Sequence, residues 1–487
     1  MAYYLGIDVG TSSVKLTCID GTGAVLASAS EAYSCENPQP GWREIDPDVW
    51  WRAVCVAAVR LSDAVDISKV RGVGATGQMH TVVLVDDGGE PVAPSIMWND
   101  QRTVDAVAPE KQWAASVGLP WLSRLIATGI PAINLSWIAK NRPGRLERAA
   151  TFIGVPDWIG LKLGGRAGTD YCGASTSGLF DTASLSWSSE ACGHFGIPER
   201  LLPALEPSDE IIGHVSEAAS KATGIPQGVA IVRGTGDNPA AAICTGCLLE
   251  EMPTISIGTS GVLMHARHGV VAPKTGKPVL FTWGKRSTTL TQLSVRTCGG
   301  AKEWLYDGIL RADSYDIEDQ RVEDPLYDMR GIMFYPHLAG EKVLRGDPLV
   351  RGAFLGLDLA TTRSELQRAL MEGTAFALRD LKASVEGSES WNSIRLVGGG
   401  AKNDFWAQAL CDIIGTKMVR AKTTGAGHGA ALLALSAVTG EPLETIALRA
   451  CELLDTLTPD EGARAAYDRR FERYTRVYSA LKTIYPD

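Results

Sequence analysis

Two short stretches of the chain carry the residue types that hold an anion. Leu5-Gly6-Ile7-Asp8-Val9-Gly10-Thr11-Ser12-Ser13-Val14 lies at the start, and Ile255-Ser256-Ile257-Gly258-Thr259-Ser260-Gly261-Val262 lies past the midpoint. Each is a β-branched run that enters a Gly-Thr-Ser turn and leaves on an apolar residue. Gly10 and Gly258 let main-chain N–H groups approach an anion closely, and the hydroxyls of Thr11, Ser12 and Thr259 add donors. One such turn alone is usually only a hairpin. Its recurrence at matching places in two halves argues for paired grips on one polyphosphate. Asp8, on the strand just before the first turn, is placed to hold Mg²⁺ on that phosphate, directly or through water.

The elements that must carry these turns are legible around them. Strands are expected at 4–10, 13–19 and 24–29, a meander rather than a strand–helix–strand unit. Asp46-Pro47-Asp48 then opens a helix with an Asp N-cap, Pro at the first helical position and an acidic first turn; Val49, Ala53, Val54, Ala57 and Leu61 give it one apolar face. Strands follow at 70–74 and 81–85. In the second half, strands are expected at 280–283, 288–293 and 394–397, and helices from about Gly300 and near 363–386, 403–415, 427–439 and 461–482. The boundary between the halves is placed near 245, giving domains 1–245 and 246–487, with the terminal helix expected to pack back across both.

Composition narrows the function classes. A formal net charge of −9 over 487 residues argues against nucleic acid as the principal partner. The longest apolar runs, such as 430–435, are too short to span a bilayer, and the chain enters a strand at once, so the expected location is the cytoplasm. The ten cysteines are scattered, as reduced packing residues are; Cys244-Thr245-Gly246-Cys247 has no second pair at zinc spacing, and His265 and His268 lack an obvious third ligand. Gly72-Val73-Gly74-Ala75-Thr76-Gly77 fits a dinucleotide fingerprint, but the residues after it read as strand where that motif needs a helix. No phosphate-binding loop of the G-x-x-x-x-G-K-[ST] type exists.

Taken together, these segments resemble the FGGY family of carbohydrate kinases, within the wider actin-like ATPase group. The resemblance spans nearly the whole chain. It covers the opening hairpin, Gly77-Gln78-Met79-His80, Trp98-Asn99-Asp100-Gln101-Arg102, Gly236-Asp237-Asn238, the second hairpin, Gly352-Ala353-Phe354-Leu355-Gly356-Leu357 with the helix after it, and Gly398-Gly399-Gly400-Ala401. Within the family, the Gly-Gln-Met-His segment is most similar to xylulokinases. Two departures stand out. Asn134 occupies a place where lysine is usual, and Lys342 lies in Gly340-Glu341-Lys342-Val343-Leu344 where xylulokinases carry Gly-Glu-Arg-Thr-Pro; lysine does not reproduce a bidentate arginine contact.

The resemblance implies an α/β fold of two actin-like, ribonuclease H-like domains, each a mixed five-stranded sheet flanked by helices, around a deep cleft. It implies phosphoryl transfer from MgATP to a sugar hydroxyl, a reaction governed by positioning and charge stabilisation. Asp237 is the candidate base, at the mouth of a helix with Asn238 as its expected cap; the helix terminus is expected to favour the ionised carboxylate. Met79 and His80 are the candidate sugar contacts, with Gln78, Asp100 and Asn238 as further ones. Gly10, Thr11, Ser12, Gly258 and Thr259 are assigned to the phosphates, Gly299 to the helix beside the nucleotide, and Gly399, Gly400, Ala401 and Asn403 to the adenosine. The expected reaction is D-xylulose to D-xylulose 5-phosphate. Alternatives are a family kinase acting on ribulose, gluconate or a polyol, a nucleotide-driven assembly protein, and a sugar sensor without turnover. Partners are the sugar and ATP, with a homodimer as the candidate assembly.

Overall fold

The computed structural model describes residues 1–484 apart from 250–251, 270–275, 284–287, 312–330 and 423–424. Two mixed sheets form its frame. In the first half, β1 (Tyr3–Val9), β2 (Ser13–Asp20), β3 (Val25–Ala32), β4 (Val70–Gly77), β5 (Ile211–His214) and β6 (Ala230–Gly236) join in the order β5-β6-β4-β1-β2-β3. In the second, β7 (Thr254–Ile257), β8 (Gly261–His268), β9 (Val279–Trp283), β10 (Thr288–Val295), β11 (Ser393–Val397), β12 (Lys417–Ala421) and β13 (Leu453–Leu457) join as β9-β10-β8-β7-β11-β12-β13.

Among the described residues the sheets have six and seven strands, not the five expected. Removing the edge strands β5, β9 and β13 leaves one five-strand plan twice: β3-β2-β1-β4-β6 and β10-β8-β7-β11-β12. The first two pairings are antiparallel and the last two parallel in both. The duplication seen in the hairpins therefore extends to whole sheets. The extra strands join at edges; β9 is the strand expected at 280–283, whereas β5 and β13 pair with distant partners and leave little local mark.

The local reasons for the elements hold. Leu5, Ile7, Val9, Val14 and Leu16 are fully buried and form one core with Trp50, Val54 and Ala57 of α1 (Pro47–Ser62), whose Asp46 cap accepts from the Asp48 N–H at 3.0 Å. A second core in the same half gathers around the antiparallel pair Val82–Val85 and Thr151–Gly154 and includes Ala114 of α2 (Val107–Ser116) and Leu122 of α3 (Pro120–Leu125). The short helix α4 (Asp237–Ile243) follows β6 directly. The second half is built on α5 (Arg363–Ala383), opened by a reciprocal Thr362–Glu365 capping box, and α6 (Asp404–Ile414).

The two halves interlock through α7 (Ala426–Thr439), which lies on the N-terminal sheet and against α4. Glycines make the approach possible: a Cβ on Gly6 would sit 1.8 Å from the Gly427 carbonyl oxygen, and one on Gly74 2.5 Å from that of Ala430. Gly72 and Gly74 thus serve helix packing inside β4, which explains the glycine pattern without any dinucleotide. The terminal helix α8 (Glu461–Lys482), expected to cross both halves, binds the second half instead. Its Tyr467 hydroxyl donates to Glu372 at 3.1 Å, Asp468 accepts from Arg379 at 2.6 Å and the Tyr478 hydroxyl donates to Asp347 at 3.0 Å. No helix among the described residues is long and apolar enough to cross a membrane.

Candidate active site

Three parallel strands end together. Val9 of β1 pairs with Gly77 of β4, which pairs with Gly236 of β6. The residues that follow, Gly10-Thr11-Ser12, Gln78-Met79-His80 and Asp237-Asn238, therefore emerge side by side at the carboxyl edge of the sheet, where open α/β sheets bind ligands. The contacts tie these segments to one another. The Gln78 N–H donates to the Val9 carbonyl at 2.8 Å and its Nε2 to the Gly10 carbonyl at 3.2 Å, while Tyr33 Oη donates to that same Gly10 oxygen. Trp98 Nε1 donates to Thr11 Oγ1 at 3.2 Å. Gln78 thus braces the first turn, and its buried Oε1 has no partner among the described residues.

Met79 lies on the start of α4, because Gly236 has no side chain: a Cβ there would come within 2.5 Å of Met79 Cγ. His80 holds a left-handed backbone, φ 70°, uncommon for a residue with a side chain and costing about 1–3 kcal/mol. Strain of this kind persists where neighbours fix it, and His80 lines the space between the lobes that Arg296 and Lys342 also line. Burial first, and Lys342 second, push its pKa down to about 4, so the ring is neutral at pH 7 and offers one donor and one acceptor.

Asp237 is the first residue of α4, and Gly236, not Asn238, occupies the cap position. Asn238 instead donates to Asp237 Oδ1 from its main-chain N–H at 2.7 Å and from Nδ2 at 3.1 Å. Its carboxyl does not sit in the ordinary range, as the helix terminus alone would suggest. Burial outweighs the main-chain donors and raises it to about 6. Asp8 is raised further, to about 7, by burial and then by the charge of Asp237, with Lys15 across the hairpin pulling the other way.

Two neighbouring carboxylates that resist ionisation are a seat for positive charge. Among the described residues no three His, Cys, Asp or Glu side chains cluster as a metal cage. A pair of carboxylates suits Mg²⁺, which keeps waters and takes phosphate oxygens as its other ligands. Asp8, with no hydrogen bond of its own among the described residues, fits that role.

The second hairpin repeats the design. The Gly258-Thr259-Ser260 turn is flanked by Gly299, whose N–H donates to the Gly258 carbonyl at 2.8 Å, and by Gly300, whose N–H donates to that of Thr259 at 3.0 Å. Gly398 and Gly400 press on Ile257 at the end of β7, while a Cβ on Gly399 would meet nothing within 4 Å. Gly258, Thr259, Gly299, Gly399 and Gly400 are thus brought to one place.

Other sequence candidates already have partners within the protein. Asp100 is fully buried, and both its oxygens are taken: the Arg43 N–H at 2.6 Å, the Arg102 N–H at 2.8 Å, and Arg102 Nε and Nη2 at 2.8 Å each. These bonds tie it to the 97–102 loop and to Arg43. Asn403 Oδ1 caps α6 by accepting from the Trp406 N–H at 2.8 Å, and Ala401 is buried with its carbonyl accepting from Arg420. Asn134 is buried too, bonded to Gly129 and Thr103, where a lysine would leave a charge in the core. Tyr33 and Trp98, which hold the first turn, carried no local signal beyond the segment in which Trp98 stands.

Family models for carbohydrate kinases cover both halves: the FGGY N-terminal domain matches residues 3–244 and the FGGY C-terminal domain residues 254–438. The chain belongs to the FGGY family of carbohydrate kinases. Among relatives, a xylulose kinase of Staphylococcus xylosus is 29% identical over 440 residues, 89% of this chain and 90% of that one. The crystal structure of a xyloylose kinase from Brucella ovis superposes with a TM-score of 0.86 at 28% identity, covering 99% of this chain and 100% of that one. That of a xylulose kinase from Rhodospirillum rubrum, at 24% identity and 99% coverage of both chains, shares the fold with a TM-score of 0.89. Membership makes this chain a sugar kinase with ATP as phosphoryl donor.

Proposed function

We propose that the chain transfers the γ-phosphoryl group of ATP to D-xylulose, giving D-xylulose 5-phosphate and ADP. The sugar hydroxyl lies against Asp237, between Met79 and neutral His80. Asp237 takes the hydroxyl proton as the new O–P bond forms and the bond to the β–γ bridging oxygen breaks, ADP leaving with that oxygen. Gly10, Thr11 and Ser12 from one lobe, and Gly258 and Thr259 from the other, present N–H and hydroxyl donors to the phosphates. Gly399, where a Cβ would meet nothing within 4 Å, leaves an open floor for the adenosine, with Gly400 packed on Ile257 beside it. Asp8 would hold Mg²⁺, which would neutralise charge on the phosphates.

The observation that carries this reading is the aligned ending of β1, β4 and β6, which puts the first Gly-Thr-Ser turn, the Met79-His80 segment and Asp237 at one edge. The choice of D-xylulose rests on the relatives and on the Gln78-Met79-His80 segment. A second acceptor class within the family, sugar acids such as gluconate, is favoured by Lys342 beside His80. Release of ADP measured with MgATP across pentuloses, polyols and aldonates tests the proposal. D-xylulose-dependent ADP release supports it, and ADP release no faster than ATP hydrolysis with every acceptor overturns it.

A further inference from the structure

The two Gly-Thr-Ser turns are held alike by different means. In each, the carbonyl of the turn glycine is fixed from outside the turn. The Gly258 carbonyl accepts from the Gly299 N–H at 2.8 Å, an approach that needs glycine, since a Cβ on Gly299 would lie 2.4 Å from that oxygen. The Gly10 carbonyl accepts from two side chains instead, Gln78 Nε2 at 3.2 Å and Tyr33 Oη. Gln78 directly follows β4 and Tyr33 directly follows β3, so the donors close on the oxygen from the two strands that flank the β1–β2 hairpin. Both lone pairs of that oxygen are then taken.

Fixing a carbonyl aims the other end of its peptide. No described peptide bond is cis, and a planar trans peptide carries its N–H opposite its C=O. With the Gly10 oxygen held by Tyr33 and Gln78, the Thr11 N–H faces away from both; with the Gly258 oxygen held by Gly299, the Thr259 N–H faces away from Gly299. Neither N–H has an acceptor among the described residues. The Thr11 hydroxyl is oriented as well: Trp98 Nε1 donates to its oxygen at 3.2 Å, which leaves its own hydrogen for a further acceptor. Of the two turns, the first emerges beside Asp237.

We infer that Tyr33 and Gln78 are positioning residues for phosphoryl transfer, aiming the Thr11 N–H at the γ-phosphoryl oxygens through their hold on the Gly10 carbonyl. The inference rests on the reading of the first turn as a phosphate grip. Donors fixed before the reaction stabilise charge shifting among those oxygens without reorganising. Loss of either side chain therefore costs rate rather than nucleotide binding, and Gln78 acts on the phosphoryl side rather than as a sugar contact.

Tyr33→Phe deletes the hydroxyl and keeps both the ring and the bond from the Tyr33 N–H to the Ser12 carbonyl at 2.9 Å. Steady-state ADP release is measured for the full chain with MgATP and the pentulose, polyol or aldonate that the parent turns over fastest. The kcat is expected to fall about tenfold, less than the 10²–10³ of a whole donor lost, because Gln78 still holds the carbonyl. The KM values for ATP and acceptor are expected to stay within about twofold. Gln78→Met, which deletes the amide at similar size, is expected to behave alike. Binding of MgADP with aluminium fluoride and the acceptor, a mimic of the phosphoryl group in transit, separates positioning from mere structure. In both variants calorimetry is expected to show that complex weakened about tenfold and MgADP alone unchanged. An unchanged kcat in folded Tyr33→Phe, an equal loss of MgADP affinity, a raised acceptor KM in Gln78→Met, or failure of both variants to fold overturns the inference and leaves the kinase reading standing. A parent chain without acceptor-dependent ADP release overturns both.

Discussion

The carboxyl of Asp237, raised to about 6 by burial, sets a measurable limb in the pH dependence of the reaction. A base must be ionised, so the active fraction is about nine-tenths at pH 7 and about one-tenth at pH 5, and kcat/KM for the sugar falls about tenfold between them. An aspartate left at its ordinary value near 3.8 would stay more than nine-tenths ionised at pH 5 and the profile would be nearly flat. Removing the base in Asp237→Ala is expected to lower kcat by about 10²–10⁴, or ~3–5.5 kcal/mol of barrier, with the Kd for ATP nearly unchanged. Residual activity in that variant should lose the acidic limb. The assay is initial-rate ADP release at saturating MgATP from pH 5 to pH 8, with ATP binding followed by calorimetry. A flat profile from pH 7 to pH 5, or an alanine variant keeping more than a tenth of the parent turnover, refutes the assignment.

Three further outcomes are expected. Met79→Ala and His80→Ala raise the sugar KM by about tenfold and leave the KM for ATP alone; the reverse pattern in initial-rate kinetics would move the sugar pocket. Asp100→Ala leaves Arg102 buried with one acid fewer and destabilises the fold by about 3 kcal/mol in urea titration, with the sugar KM of the folded fraction unchanged; a KM rise without loss of stability would restore Asp100 to the sugar site. Asp8→Asn removes a carboxylate whose folded pKa, about 7, lies above its unfolded value. Such a group favours the folded state below pH 4 and loses that contribution as pH rises through 7, so the variant should melt higher than the parent at pH 8 and turn over more slowly; a lower melting temperature at pH 8 contradicts the burial argument.

What the sequence disclosed was local. The Asp46-Pro47-Asp48 helix start, the two Gly-Thr-Ser turns and the strands around them follow from turn chemistry and period-two patterning within ten residues. Asp237 was reached through a resemblance, and its raised pKa depends on burial that no neighbour in sequence reports. Asp100 read as a free carboxylate because its main consumer, the Arg102 fork, is indistinguishable in sequence from a solvated arginine. The purpose of Gly72 and Gly74 was hidden because the helix they admit, α7, lies some 350 residues away in the chain.

The central claim is that duplicated turns from the two lobes hold one triphosphate against Asp237. A crystal structure with a non-hydrolysable ATP analogue, Mg²⁺ and an acceptor sugar tests it most directly. The account predicts phosphate oxygens within hydrogen-bond distance of the 10–12 and 258–259 turns, and Asp237 within ~3 Å of the acceptor hydroxyl. A nucleotide seated away from both turns, or Asp237 turned out of the cleft, contradicts it.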